Sequence, residues 1–304
     1  MSEIFNLETV NDYCDRFSST PLHPLVTVMD LNGLQRKSQK GIEALRFNFY
    51  GVFLKQNKDC VLKYGRKYYD FQEGTLVFAG PGQVVTIENG DDYVPSGHAL
   101  LFHPDLLHRT GLAQSISEYS FFSYEVHEAL HLSDREREIV MDCFDKIRYE
   151  LERDIDQHSK RVIVTNIELF LNYCTRFYDR QFITRDTANY GVVSQFERSL
   201  NDYLRSEKAA LMGCPTVSHF AEEQHLSPNY FGDIVKKETG RSAHEHIQSK
   251  LIEIAKERMF DPAKTVSEVA YELGFKHPQH FSRLFKQRVG HSPNAFRNLN
   301  LSKN

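Results

Sequence analysis

Between about residues 25 and 125 the apolar positions come in short runs, alternating or continuous, such as Leu45-Arg46-Phe47-Asn48-Phe49-Tyr50 and Thr75-Leu76-Val77-Phe78-Ala79. Turn formers punctuate them at Asn32-Gly33, Gly80-Pro81-Gly82 and Asn89-Gly90-Asp91-Asp92. Runs that short, interrupted that regularly, predict the strands of a sandwich or barrel. From Ser133 the period lengthens. Ser133-Asp134-Arg135-Glu136 has the form of a capping box, and Ile139, Cys143, Ile147 and Leu151 follow at four-residue spacing, which predicts an amphipathic helix. A second helix over about 160–180 puts Val162, Val164, Ile167, Leu171, Cys174 and Tyr178 on one side. The two predict a hairpin. Its leftover apolar stripe either forms a dimer surface or only covers the β-rich part. Polar residues and Gly191 break the period over 183–191, as an interdomain linker would.

Beyond that break the chain repeats itself. Thr216-Val217-Ser218-x-x-Ala221 returns 49 residues later as Thr265-Val266-Ser267-x-x-Ala270, and Phe231…Lys236…Gly240-x-Ser242 returns 50 later as Phe281…Lys286…Gly290-x-Ser292. One residue has been added between the two halves of the unit. Each copy reads as a short helix begun by a Thr cap, a tight turn, and a second helix with Pro at its first position, Pro228 or Pro278. That is the helix-turn-helix layout. In copy two Gly274 suits a corner of positive φ; copy one has His225 and Leu226 there, a less typical turn.

The second helix of copy two carries Lys276, His277, Gln279, His280, Arg283, Lys286 and Arg288, and residues 276–288 contain no acid. Phe281, Leu284 and Phe285 supply a buried face, leaving Gln279, Ser282, Arg283 and Lys286 outside. Gln and Arg are the side chains that pair bidentately with adenine and guanine edges in a major groove. The apolar pattern over 243–259 predicts one connecting helix, about 25 Å long at 1.5 Å per residue, shorter than the ~34 Å pitch of DNA.

Gly274-Phe275…His280-Phe281-Ser282-Arg283-Leu284-Phe285-Lys286…Gly290-x-Ser292-Pro293-x-x-Phe296-Arg297 closely resembles the signature of AraC-type (AraC/XylS-like) transcription regulators, over about residues 193–298. The β-rich half resembles, more weakly, the cupin-like sensor domain that often accompanies this unit. The expected fold is therefore α+β: a cupin-like barrel with a helical hairpin over 1–182, a linker over 183–192, and an all-α domain with two helix-turn-helix units over 193–304. The resemblance implies a sequence-specific regulator whose base-reading positions fall at Gln279 and Arg283, and at Asn229, Gly232 and Asp233 in copy one. Gly232 has no side chain, and Asp233 repels phosphate or accepts from cytosine. In copy one Asn229, Tyr230, Lys236 and Lys237 are then expected to do most of the binding, with Lys237 and Lys286 as phosphate anchors. His277, His280 and Ser282 complete the expected DNA surface.

Charge agrees in sign. Residues 190–304 hold 16 Lys and Arg against 13 Asp and Glu, leaving 21 against 28 in residues 1–189, so the halves carry +3 and −7. A modestly basic C-terminal part facing an acidic N-terminal one fits a polyanion partner, though most segments of that charge are only solvated surface. Five cysteines stand singly, without C-x-x-C, which argues against disulfides or a zinc ribbon. No apolar run reaches the ~18 residues of a membrane span, and the N-terminus does not read as a signal peptide, so a cytoplasmic protein is expected.

His98, His103 and His108 lack the close His-x-His and following Glu of an enzymatic cupin, and neither a metal nor another cofactor is expected. Phe47, Phe49, Phe53, Phe78 and Phe102 are candidates to line an effector pocket in a β-barrel mouth. No catalytic motif is present. The expected partners are operator or promoter DNA, RNA polymerase, an unknown small-molecule effector and a second copy of the chain. The alternative is a cupin-type metal-dependent enzyme fused to a DNA-targeting domain.

Overall fold

The computed structural model describes residues 4–34, 41–55, 61–64, 67–70, 74–89, 96–125, 128–184, 186–261 and 263–301. The chain divides into two compact units, Met1–Thr184 and Arg185–Asn304. The first contains β1 (Ile4–Leu7), α1 (Val10–Asp15), β2 (Val26–Asp30), β3 (Gly41–Phe47), β4 (Tyr50–Lys55), β5 (Val61–Tyr64), β6 (Lys67–Asp70), β7 (Thr75–Ala79), β8 (Val84–Asn89), β9 (Gly97–Phe102), α2 (Pro104–Leu107), α3 (Leu112–Ser115), β10 (Leu130–His131), α4 (Asp134–Leu151) and α5 (Ser159–Thr184).

The largest sheet runs β10-β7-β4-β9-β2, a second runs β1-β3-β8 and β5 pairs with β6. All neighbours are antiparallel except β1 and β3. Among the described residues no pairing closes a barrel, so the expected barrel is present only as open sheets. At the short bend Asn48-Phe49 the chain passes from one sheet to the other: β3 pairs with β8, while β4 pairs with β7 and β9.

Alternation along β4 gives the large sheet two apolar faces. Phe53 stands across from Val77 and Ala99 and packs with Tyr13, Phe17, Phe47 and Phe49, so α1 and the β3–β4 bend cover this face. On the other face Tyr50 stacks on Phe102 with centroids 4.9 Å apart, and Phe78 meets Phe121 at 4.5 Å and Tyr178 of α5 at 6.1 Å. A sheet covered on both sides reads as continuous apolar runs. β7 and β9 are buried at every position.

The predicted hairpin helices are α4 and α5, which pack together through Phe144 and Phe170 at 5.3 Å. Ser133 caps α4: its hydroxyl accepts from Glu136 N at 3.4 Å while the Glu136 carboxylate accepts from Ser133 N at 2.8 Å. Arg180 of α5 donates to Glu136 at 2.7 Å and to the His131 carbonyl at 2.7 Å, joining α5, α4 and β10. Burial raises the Glu136 pKa, but the bonds from Ser133 and Arg180 outweigh it and hold the carboxyl below its ordinary value. Val162, expected on the buried side of α5, is exposed; Ile163 and Val164 take the core positions, because the stripe is set by contact with α4 rather than by the first apolar residue.

The second unit contains α6 (Asp186–Arg205), α7 (Lys208–Met212), α8 (Val217–Glu223), α9 (Pro228–Thr239), α10 (Ala243–Met259), α11 (Val266–Glu272), α12 (Pro278–Val289) and α13 (Pro293–Leu301). The stretch expected as an irregular linker is helical on both sides of residue 185. In α6, Asn189, Val193, Phe196, Leu200 and Leu204 form a buried stripe, and Gly191 stands in open space, where packing does not require a glycine. A first turn with little apolar content hides the start of that stripe from a search for periodicity.

Candidate nucleic-acid interface

The two helix-turn-helix units are α8 with α9 and α11 with α12. The short helices are 49 residues apart and the long ones 50, so the added residue falls in the turn, which has four residues in the first unit and five in the second. Thr216 and Thr265 cap equivalently, their hydroxyls accepting from His219 N at 3.2 Å and Glu268 N at 3.1 Å. Both corners use positive φ, +58° at His225 and +87° at Gly274, and both return by the same bond, Leu226 N to Ala221 O at 2.9 Å and Phe275 N to Ala270 O at 3.0 Å. The corner of the first turn, less typical by sequence, thus has the same geometry, in a turn one residue shorter.

On α12 the aromatic face is inside, with Phe281 and Phe285 fully buried and 5.7 Å apart. Gln279, His280, Arg283 and Lys286 are exposed and Ser282 half-buried. His277 precedes the helix at the cap position without a capping bond, and its exposed ring lies 5.5 Å from that of His280. Gln287, four residues past Arg283 on the same edge, is exposed as well; the i, i+4 spacing from Gln279 through Arg283 marks it in the sequence, although it carries no charge. Arg288 turns away and donates to Gln248 of α10.

The first unit differs. Asn229, Lys236 and Lys237 are exposed on α9 and Asp233 is half-buried beside Gly232. Tyr230, expected among the DNA-binding side chains, is 4% exposed and belongs to the core. The reason is packing: α9 lies against α6 as well as α8 and α10, and Phe196 of α6 meets Phe231 at 5.2 Å. The buried stripe therefore widens to Tyr230, Phe231, Ile234 and Val235, whereas the equivalent His280 of α12 faces outward.

The units are fixed to each other by more than α10. Arg258 near its end donates to Glu272 of α11 at 3.2 Å and to the Leu204 carbonyl of α6 at 2.6 Å, and Lys264 donates to Glu272 at 2.6 Å. Arg297 of α13 donates to the Met259 carbonyl at 3.1 Å. Capping boxes at Ser242 and Thr265 close the starts of α10 and α11.

Of the effector-pocket candidates, Phe47, Phe49 and Phe53 lie on one face of the large sheet and Phe78 and Phe102 on the other. All five are buried, and they fall on opposite sides of the sheet because residues 52 and 53 of one strand point to opposite faces. His98 is buried on β9 with Nε2 4.0 Å from Asp30, His103 caps α2 by accepting from Asp105 N at 3.2 Å, and His108 is exposed after α2. Among the described residues no group of three or more His, Cys, Asp or Glu is placed to hold a metal ion. Cys14, Cys143 and Cys174 are buried, and burial pushes the Cys14 thiol up to about 12, away from reactivity; Cys60 lies outside the described residues. No helix among the described residues is long and apolar enough to cross a membrane.

Comparison with known proteins agrees with this geometry. A helix-turn-helix domain family matches residues 220–299, from α8 into α13. Two HTH-type transcriptional regulators of Bacillus subtilis, YobQ and YtdP, themselves uncharacterised, are 32% identical over 83 residues and 34% identical over 82, each covering 27% of this chain. The chain spans only 34% and 11% of their lengths. A third such regulator, YijO of Escherichia coli, is 25% identical over 235 residues, 74% of this chain and 78% of its own. Among solved structures, the DNA-binding domain of AdpA in complex with a target DNA is 20% identical and covers 38% of this chain and 94% of its own, but its TM-score of 0.30 is too low to carry a structural argument. The two capped, corner-matched helix-turn-helix units thus coincide with the matched helix-turn-helix domain family, and over this region the chain is similar to HTH-type transcriptional regulators.

Proposed function

We propose that this protein is a sequence-specific regulator of transcription that reads its operator mainly through the second helix-turn-helix unit and responds to a small molecule through its N-terminal unit. The observation that carries the reading is α12, whose outer face shows Gln279, Arg283, Lys286 and Gln287 with no acid, opposite a face anchored by Phe281 and Phe285. Such a helix offers forked donors for base edges and a cation for phosphate. On α9, Asn229, Lys236 and Lys237 provide mainly backbone contacts, and Asp233 limits the approach to phosphate. The two units are joined by the seventeen residues of α10, about 25 Å long at 1.5 Å per residue and shorter than the ~34 Å pitch of DNA, which favours a bent or tilted duplex.

The N-terminal unit serves as a cupin-like sensor and holds a homodimer through α4 and α5, where Tyr149, Val162 and Leu169 stand exposed. The regulator works in the cytoplasm, beside RNA polymerase at the promoter. Selection of bound sequences from random duplex DNA by the full-length protein tests the reading. An enriched motif that loses preference at one position in Arg283→Ala supports it; uniform binding of all sequences overturns it.

A further inference from the structure

We propose that the N-terminal unit binds a small, doubly charged organic anion in a surface cleft between the α2–α3 turn and the first turns of α5. This gives the effector of the preceding reading a chemical class and rests on that reading for its regulatory meaning.

The cleft has a volume of about 680 Å³, within the usual range for small-molecule sites. Arg109 lines it from the turn, and Lys160, Arg161 and Glu168 line it from α5. Three cations against one carboxylate leave a surplus of two positive charges, set in a half of the chain whose total, over residues 1–189, is −7, with 21 Lys and Arg against 28 Asp and Glu. Neither guanidinium group is paired: among the described residues neither Arg109 nor Arg161 has a hydrogen bond or ion pair. By contrast Arg148, Arg180 and Arg258 of the same molecule are each paired with a carboxylate. Unpaired guanidinium groups gathered in one concavity repel each other until an anion with two charges lies between them.

The walls are held in place before any ligand arrives. Lys160 Nζ donates to the His108 carbonyl at 2.9 Å, tying α5 to the turn and leaving donors to spare. Thr110 Oγ1 donates to the Leu107 carbonyl at 2.6 Å and Thr110 N to the same oxygen at 3.0 Å. These bonds keep Arg109 at φ +63°, so its side chain leaves the turn in a fixed direction. Leu112 and Val164, both buried, supply an apolar floor. A ligand that fits has two oxyanion charges on a short apolar or hydroxylated body: a dicarboxylate or a phosphomonoester, since a guanidinium fork accepts either.

Calorimetric titration of the full-length protein with succinate, glucose 6-phosphate and, as a neutral control, succinamide distinguishes these sources. At least one of the two dianions is expected to bind with Kd of about 1 mM or tighter and succinamide not at all. Arg161→Gln and Arg109→Asn, the latter able to keep positive φ, should each weaken binding about tenfold. Glu168→Gln should tighten it, and Lys146→Gln, outside the cleft, should leave it unchanged. All are surface changes whose folding is checked by an unaltered thermal midpoint. Absence of binding by both dianions up to about 10 mM, or equal binding by wild type and the two arginine variants, overturns the inference. Operator affinity measured with and without the bound dianion separates the two readings. Binding without any change in operator affinity keeps the site and removes its effector role, whereas operator binding by a protein that takes neither dianion keeps the regulator and removes the site.

Discussion

The backbone of Gly213 occupies the place where a side chain on Gly274 would begin: a Cβ built on Gly274 would lie 2.3 Å from the Gly213 carbonyl carbon, with Cys214 N at 2.5 Å and Ala209 O at 2.6 Å. The chain after α7 thus closes over the corner of the second helix-turn-helix unit, and Tyr203 steadies it by donating to the Gly213 carbonyl at 3.0 Å. The corresponding corner of the first unit, His225, is exposed.

The two corners should therefore respond oppositely to substitution. Gly274→Ala combines a positive φ with a clash against backbone and is expected to cost about 3 kcal/mol or more. His225→Gly relieves a backbone held at φ +58° on an exposed corner and should raise stability by about 0.5 kcal/mol. Urea unfolding of both variants checks the signs; a neutral Gly274→Ala would show that the Gly213 segment does not hold its place.

Arg283→Ala and Lys286→Ala should weaken DNA binding in different ways. Loss of Arg283 is expected to cost about 1 to 3 kcal/mol on the preferred site and relax preference at one base pair. Loss of Lys286 should weaken all sequences alike and lower the salt slope by about one. Titrations at several salt concentrations, on preferred and scrambled duplexes, read both quantities, and identical losses from the two variants would remove the assigned roles.

Tyr230→Ala tests the burial of this side chain on α9. A side chain 4% exposed in the core should cost about 3 to 5 kcal/mol of stability on truncation. Base preference should be unaffected in whatever protein remains folded. A stable variant with altered base preference would return Tyr230 to the DNA surface.

Acid should loosen the N-terminal unit through Glu136. Because its folded pKa is depressed, its contribution is in place above the ordinary value of 4.5 and is lost as pH falls through the depressed one. Glu136→Gln should flatten the dependence of the N-terminal unit's stability on pH below about 4.5, measured by thermal unfolding across acid buffers. An unchanged slope would mean that the bonds to Ser133 and Arg180 do not shift the carboxyl.

The sequence by itself determined what is local. The offset of 49 and then 50 residues locates both helix-turn-helix units and the extra turn residue, the Thr and Ser caps locate helix starts, and the run over 243–259 matches α10 end to end. These features depend on neighbours a few residues apart, where spacing alone sets which groups meet. Tertiary structure decided what depends on partners distant in sequence. Tyr230 and His280 hold equivalent places in the repeat, yet one is buried and the other exposed, because α6 packs on α9. Five phenylalanines that look alike in the sequence divide between two faces of one sheet, since pairing of β4 with β7 and β9 decides which core each one fills. Likewise Arg109 and Arg161, 52 positions apart, become neighbours only because α5 begins beside the α2–α3 turn, a proximity no periodicity encodes.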